Sequence, residues 1–209
     1  MIKAVVSDFG GVVTLPLMDA FKRAHAEIGV PVEALAKAMA LVASRAPEPP
    51  LWTLERGQMS EPDFIAVIAG GLSEVLGRPV DLDGYGARLM DSLQPNEPLI
   101  DHYRALRERG VRLAILTNNV REWHDAWRAR IPVVDELFEL IVDSGFEGTR
   151  KPEPRIYELT LSRLGLDARD CAFVDDVEVN VTAARELGMH GIQFHDTDQV
   201  IAELDALTF

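Results

Sequence analysis

The spacing of apolar residues changes its period twice along the chain. Ala4, Val5 and Val6 form a compact apolar run that delivers Asp8 into a turn loosened by Gly10 and Gly11, the pattern of a buried strand ending in a carboxylate. After Thr14 the period becomes helical. Phe21, His25 and Ile28 share one face, and Val32, Leu35, Ala36 and Met39 share the next. The run APEPP at 46–50 interrupts the pattern. Ser60 is placed to cap a helix that tolerates Pro62 in its first turn and carries Phe64, Ile65, Ile68 and Leu72. No convincing strand occurs in residues 15–95. From Glu97 onward, helices alternate with short apolar runs. Leu99, Ile100, Tyr103 and Leu106 make a helical stripe closed by Gly110, and Val111 to Leu116 reads as a strand ending in Thr117-Asn118-Asn119. A helix around Glu122 to Arg130 leads to a strand at Leu140 to Val142. Pro152 marks the first turn of another helix, and strands follow at Cys171 to Val174 and Gly191 to Phe194. This alternation predicts an α/β fold, a Rossmann-like parallel sheet with helices on both faces. Residues 1–14 and 96–209 would form that core, with 15–95 inserted as an all-helical domain.

A chain of 209 residues with 47% apolar and 26% charged side chains is long enough for such a core and its insertion. The formal net charge of −13, with no run of Lys and Arg to override it, argues against nucleic acid and acidic membrane surfaces as partners. MIKAVV enters the first strand directly, with no charged leader or long apolar segment, so a cytoplasmic location is the default expectation. The single cysteine, Cys171, lies in the apolar run Cys171 to Val174 and reads as a core residue rather than a nucleophile.

In parallel α/β sheets, ligands gather at the carboxyl ends of the strands. Four such positions carry polar residues here: Asp8, Thr117, the segment reaching Lys151, and Asp175-Asp176. Taken singly, each has an ordinary explanation as a turn residue, a solvated charge or a helix cap. Together they suit a carboxylate nucleophile attacking a phosphoryl group. That chemistry needs a divalent cation to offset charge, a cationic side chain to hold nucleophile and phosphate together, and a small donor to orient the oxygens.

The stretches KAVVSDFGGVV, AILTNN, GTRKPEPRIY and FVDDVEVNVTAARELGM, in that order, resemble the four sequence motifs of the haloacid dehalogenase-like hydrolases. The helical block falls where many members of that family carry a helical cap. The resemblance implies that Asp8 is a nucleophile forming an aspartyl-phosphate, that Thr117 and Asn118 bind the phosphoryl group, and that Lys151 bridges it to Asp8. It also implies Mg²⁺ held by Asp8, the Gly10 carbonyl, Asp175 and Asp176. Charge counting agrees, since three carboxylates against Lys151 alone would raise their pKa values unless a divalent cation joined them. Oxygen ligands without a Cys or His cluster favour Mg²⁺ over zinc. Asn180, one turn into the next helix, is placed to brace the aspartate loop.

The departure from the family pattern is Gly10, where phosphatases of the family usually carry an acid-base aspartate. General acid-base assistance is worth about 10²- to 10⁴-fold. Three readings remain open at this point: a phosphatase of small phosphorylated metabolites that manages without this acid, a 2-haloacid dehalogenase-type hydrolase, or a binding or regulatory module on a catalytically weakened scaffold. The paired aspartates argue against the dehalogenase. In the helical block Trp52, Glu55 and Arg56 are the candidates for substrate contact, Arg56 toward an anion and Glu55 as an acid, with Arg23 and His25 behind them. A monomer and a homodimer are both compatible with the composition.

Overall fold

A computed structural model describes residues 1–208. The sheet has five strands in the order β3-β2-β1-β4-β5, all parallel. They are β1 (Ala4–Ser7), β2 (Arg112–Thr117), β3 (Leu140–Asp143), β4 (Cys171–Asp175) and β5 (His190–Gln193). Successive side chains of a strand point to opposite faces, and both faces of this sheet are covered, which is why its central strands are apolar almost throughout. Val5, Ile115 and Val174 pack on one side, with α6 (Glu97–Glu108) and α12 (Thr197–Asp205). Val6, Leu116 and Phe173 pack on the other, with α10 (Pro154–Leu164) and α11 (Glu178–Glu186). Three shorter helices, α7 (His124–Arg130), α8 (Val133–Leu137) and α9 (Ser144–Glu147), complete this part.

Register places the polar strand ends together. Ser7 of β1 is paired with Ile115 of β2 and with Val174 of β4, so Asp8 and Asp175 leave the sheet at the same level. The Asp8 amide donates to the Val174 carbonyl at 2.8 Å. Beyond it, residues 9–13 form one wide turn, closed by the Thr14 amide donating to the Phe9 carbonyl at 3.0 Å and the Gly11 amide donating to Thr14 Oγ1 at 2.8 Å. Gly11 is required there on two counts: its φ is +84°, and a Cβ would stand 2.9 Å from Asp176 Oδ2.

Residues 15–95 hold five helices: α1 (Leu17–Ile28), α2 (Val32–Ala43), α3 (Pro50–Glu55), α4 (Glu61–Leu76) and α5 (Tyr85–Asp91). The only strand-like feature at their boundary is an antiparallel bridge between Thr14 and Pro95, flanked by the Leu15 amide donating to Gln94 and the Asn96 amide to Val13, both at 2.8 Å. The chain thus leaves and re-enters the α/β part through one paired neck. Ser60 caps α4 as the sequence implies, accepting from the Asp63 amide at 3.3 Å, with Pro62 in the first turn.

Several element boundaries shift, β2 by one residue from the run Val111 to Leu116. The proline opening α10 is Pro154, not Pro152. Glu153 sets that boundary, because its carboxylate accepts from Thr149 Oγ1 at 2.7 Å and from the Arg150 amide at 3.3 Å, folding 149–153 into a turn ahead of the helix. The helix expected from Glu122 begins as a tight 3₁₀ turn at Arg121–Trp123 before α7, and the last strand lies one residue earlier than the apolar run suggests. Cys171 is fully buried and burial pushes its thiol up to about 11, as befits a core residue. Among the described residues no helix is long and apolar enough to cross a membrane.

Candidate active site

Lys151 is the hub of the strand-end cluster. Its side chain is 1% exposed, and Nζ donates to Asp8 Oδ1 at 2.8 Å and to Asp175 Oδ2 at 2.6 Å. A lysine is almost never buried unless it is paired, so a solvated surface charge is excluded for this residue. The backbone of Lys151 is held from β2: Asn118 Oδ1 accepts from its amide at 2.8 Å while Asn118 Nδ2 donates to its carbonyl at 3.0 Å. Asn180 braces the aspartate loop, its Nδ2 donating to Asp175 Oδ1 and Oδ2 at 3.0 and 3.2 Å. Asp175 Oδ1 also takes the Val177 amide at 2.8 Å, so both of its oxygens are fixed.

Asp8, Asp175 and Asp176 each offer a carboxylate oxygen, and these oxygens lie within 4.8 Å of one another. The Asp8 pKa is raised to about 7, chiefly by burial, with Lys151 opposing the rise and Asp175 adding to it. Asp176, at the exposed rim, is raised by partial desolvation and then by the charge of Asp175. Lys151 itself would be lowered by burial, but Asp175 and Asp8 outweigh that and keep it raised and protonated. One ammonium thus serves three carboxylates. A hard divalent cation among these oxygens would supply the missing charge, and the all-oxygen donor set fits Mg²⁺.

The cluster opens into a cavity of about 620 Å³ lined by Asp8, Gly10, Thr117, Lys151 and Asp176 on the α/β side and by Leu17, Trp52, Glu55 and Arg56 from the helical segment. The structure therefore brings together every residue expected at the site from the α/β part, and three from the helical segment. Their pairing differs from expectation in one respect. Arg56 is held by Glu48 Oε1 at 2.5 Å and Glu153 Oε1 at 2.9 Å, so its charge is already matched and does not await an anion. Arg23 donates to the Ser92 carbonyl, and His25 lies between Val30 and Tyr85; neither lines this cavity.

Two contributors have no signal in the strand-end pattern. Arg150 ties Glu55 down, its Nε donating to Glu55 Oε2 at 2.5 Å, and its guanidinium lies 5.3 Å from the Trp52 ring centre. Burial nonetheless raises Glu55 above the ordinary carboxylate range, with Arg150 opposing. Leu17 is the other. A Cβ at Gly10 would stand 2.9 Å from Leu17 Cδ1, so a methyl from the helical segment lies where a side chain at position 10 would begin.

Comparison with known proteins fits this geometry. The family pattern described as "haloacid dehalogenase-like hydrolase" matches residues 2–188. Bifunctional epoxide hydrolase 2 of Mus musculus is 25% identical over 218 residues, covering 99% of this chain and 39% of that protein. Sesquiterpene phosphatase astK of Aspergillus oryzae is 33% identical over 122 residues, 55% of this chain and 58% of that protein. The chain thus spans less than two thirds of the length of these relatives. A predicted HAD-like family hydrolase from Porphyromonas gingivalis, 24% identical, superposes with a TM-score of 0.72 over 100% of both chains and shows the shared fold. With its family pattern running from β1 through α11 and its polar strand ends assembled around Lys151, the chain belongs to the haloacid dehalogenase-like hydrolases.

Proposed function

We propose that this hydrolase is a Mg²⁺-dependent phosphatase of small phosphorylated compounds, that Asp8 is its nucleophile, and that residues 15–95 act as a cap over the site. The observation that carries the reading is the buried ammonium of Lys151 gripping Asp8 and Asp175 at once. A nucleophilic carboxylate approaching a phosphate dianion is repelled by it, and a fixed cation between them offsets that repulsion. Asp8 Oδ2, the oxygen Lys151 does not hold in this geometry, attacks phosphorus, the ester P–O bond breaks, and an aspartyl-phosphate forms. Water then attacks phosphorus and the Asp8–phosphate bond breaks, regenerating the carboxylate. Thr117, buried at the end of β2, supplies a hydroxyl to the phosphoryl oxygens together with the Asn118 backbone, and Asn118 meanwhile fixes Lys151. Mg²⁺ at Asp8, the Gly10 carbonyl, Asp175 and Asp176 would neutralise charge that Lys151 alone leaves unbalanced. The acidic pair beside Asp8 favours this reading over carbon–halogen cleavage.

Because Gly10 carries no proton donor, the leaving oxygen is protonated from elsewhere, and esters of acidic alcohols or phenols are the better substrates. The test is phosphate release from 4-nitrophenyl phosphate with and without Mg²⁺. Release is expected to require Mg²⁺ and to fall to background in Asp8→Asn, and equal rates in the two proteins would overturn the assignment.

A further inference from the structure

A second cavity, of about 310 Å³, adjoins the catalytic one and shares Gly10, Leu17, Glu55, Thr117 and Asn118 with it. It runs away from Lys151 into the interface between the helical segment and the α/β part. Its walls are aliphatic and aromatic, drawn from α1, α2, α4 and α5 on one side (Phe21, Met39, Ile65, Leu89) and from Phe9 and Trp127 on the other. Glu55 is the only charged residue among its lining, and it sits at the junction, paired to Arg150. The Tyr85 hydroxyl, the one phenol in the lining, is bound to His25 Nε2 at 2.9 Å. Beyond the junction the polar groups of the walls are few, the Asn119 side chain and the indole N–H groups of Trp123 and Trp127, set among aliphatic and aromatic carbon.

We infer that this cavity receives the apolar body of the substrate, and that the enzyme hydrolyses phosphate monoesters whose alcohol, enol or phenol portion is a hydrocarbon of roughly ten to twelve carbons, an estimate scaled from benzene in an apolar cavity of about 150 Å³. The inference rests on the phosphatase reading of the same site. A sugar phosphate is the wrong chemistry for these walls, because its several hydroxyls would lose their bonds to water and meet at most two indole donors and one amide. A hydrocarbon loses nothing there and gains contact along its length. Thr117 and Asn118 stand at the junction, so an ester with its phosphate on Lys151 places its first carbons at the mouth of the apolar cavity.

The experiment uses 4-alkylphenyl phosphates, from methyl to decyl, with the full chain and Mg²⁺. Every member has nearly the same phenol leaving group, so the missing donor at position 10 affects all alike and only the tail varies. The kcat/KM is expected to rise about fourfold per carbon, the gain for burying a methylene, until the cavity is filled near butyl to hexyl, and glucose 6-phosphate is expected to be poor. Met39→Trp, which takes up volume in this cavity, is expected to move the optimum to shorter tails. A flat or falling profile, with 4-nitrophenyl phosphate still hydrolysed in an Asp8-dependent way, overturns the tail site and leaves the phosphatase standing. Should no ester be hydrolysed, calorimetric titration of Asp8→Asn with the same series still decides. Affinity that tightens with tail length supports the site, and affinity that ignores it, or no binding, overturns it.

Discussion

Leu17 changes what an aspartate at position 10 would do. The backbone there, at φ −76° and ψ 115°, is ordinary for any residue, so conformation does not demand glycine. The obstacle is the Leu17 methyl, 2.9 Å from where the Cβ would be. Gly10→Asp alone has to displace that side chain, whereas Gly10→Asp with Leu17→Ala gives the carboxyl room to turn toward the leaving oxygen. An added acid helps most where the leaving oxygen is most basic, so the double variant should speed hydrolysis of simple alkyl phosphates, with a ceiling of about 10²- to 10⁴-fold, and change aryl phosphates far less. The readout is the ratio of alkyl to aryl kcat in the single and double variants. An unchanged ratio in the double variant would show that proton donation to the leaving group is not what position 10 controls.

Among the elements, the packing of α1 on α5 contains a titratable contact that the reaction does not use. His25 Nδ1 faces the Val30 carbonyl at 3.1 Å, which only accepts, so that nitrogen carries a proton, and Nε2 meets the Tyr85 hydroxyl at 2.9 Å. Burial lowers the imidazole pKa below 6.5, with the Val30 bond and the charge of Glu33 opposing. Above about pH 6.5 the imidazole is neutral in both folded and unfolded chains and makes no pH-dependent contribution. As pH falls through that value the unfolded chain takes up a proton that the folded chain refuses, and stability declines until the lowered folded pKa is reached. Thermal unfolding of the wild type and His25→Gln between pH 7.5 and 5 should therefore show the steeper acid-side loss of Tm in the wild type. Parallel curves would mean that His25 ionises freely in the fold.

The same elements show how far the sequence reaches. The strands themselves and Asp8, Thr117 and Asp175 were accessible because a buried parallel strand is a short apolar run and its end is where polarity returns, whereas the order of the strands in the sheet was not read from the sequence. The choice between Pro152 and Pro154 was not, because either proline suits a first turn and the bonds of Glu153 decide. Arg56 reads as a free cation until Glu153, 97 residues away, is folded against it. The apolar stripe of α1, α2 and α4 looks the same whether it closes on a neighbour or lines a cavity, and in α2 it misplaces the buried face, since Ala36 is exposed while Ala34, Ala38 and Val42 are buried.

For the whole molecule, the acidic excess acts in two ways that magnesium would address differently. With 34 acidic against 21 basic residues, general self-repulsion is relieved by any salt. The three carboxylates around Lys151 are a local surplus that a divalent ion relieves by occupying one place. Site binding stabilises by mass action, about 2.7 kcal/mol at a hundredfold excess over Kd, which for a chain of this size is roughly 5–10 °C in Tm. Chelation should reverse the gain, and KCl at equal ionic strength should reproduce only the screening part. Asp176→Asn separates the two effects. Asp176 lies at the exposed rim outside the Lys151 pairs, so its loss leaves the buried pairing intact while removing one proposed ligand. Most of the Mg²⁺-specific rise should then disappear. If Asp176→Asn keeps the whole rise, the ion is acting on the net charge of the surface, and the case for a magnesium centre at Asp8 fails with it.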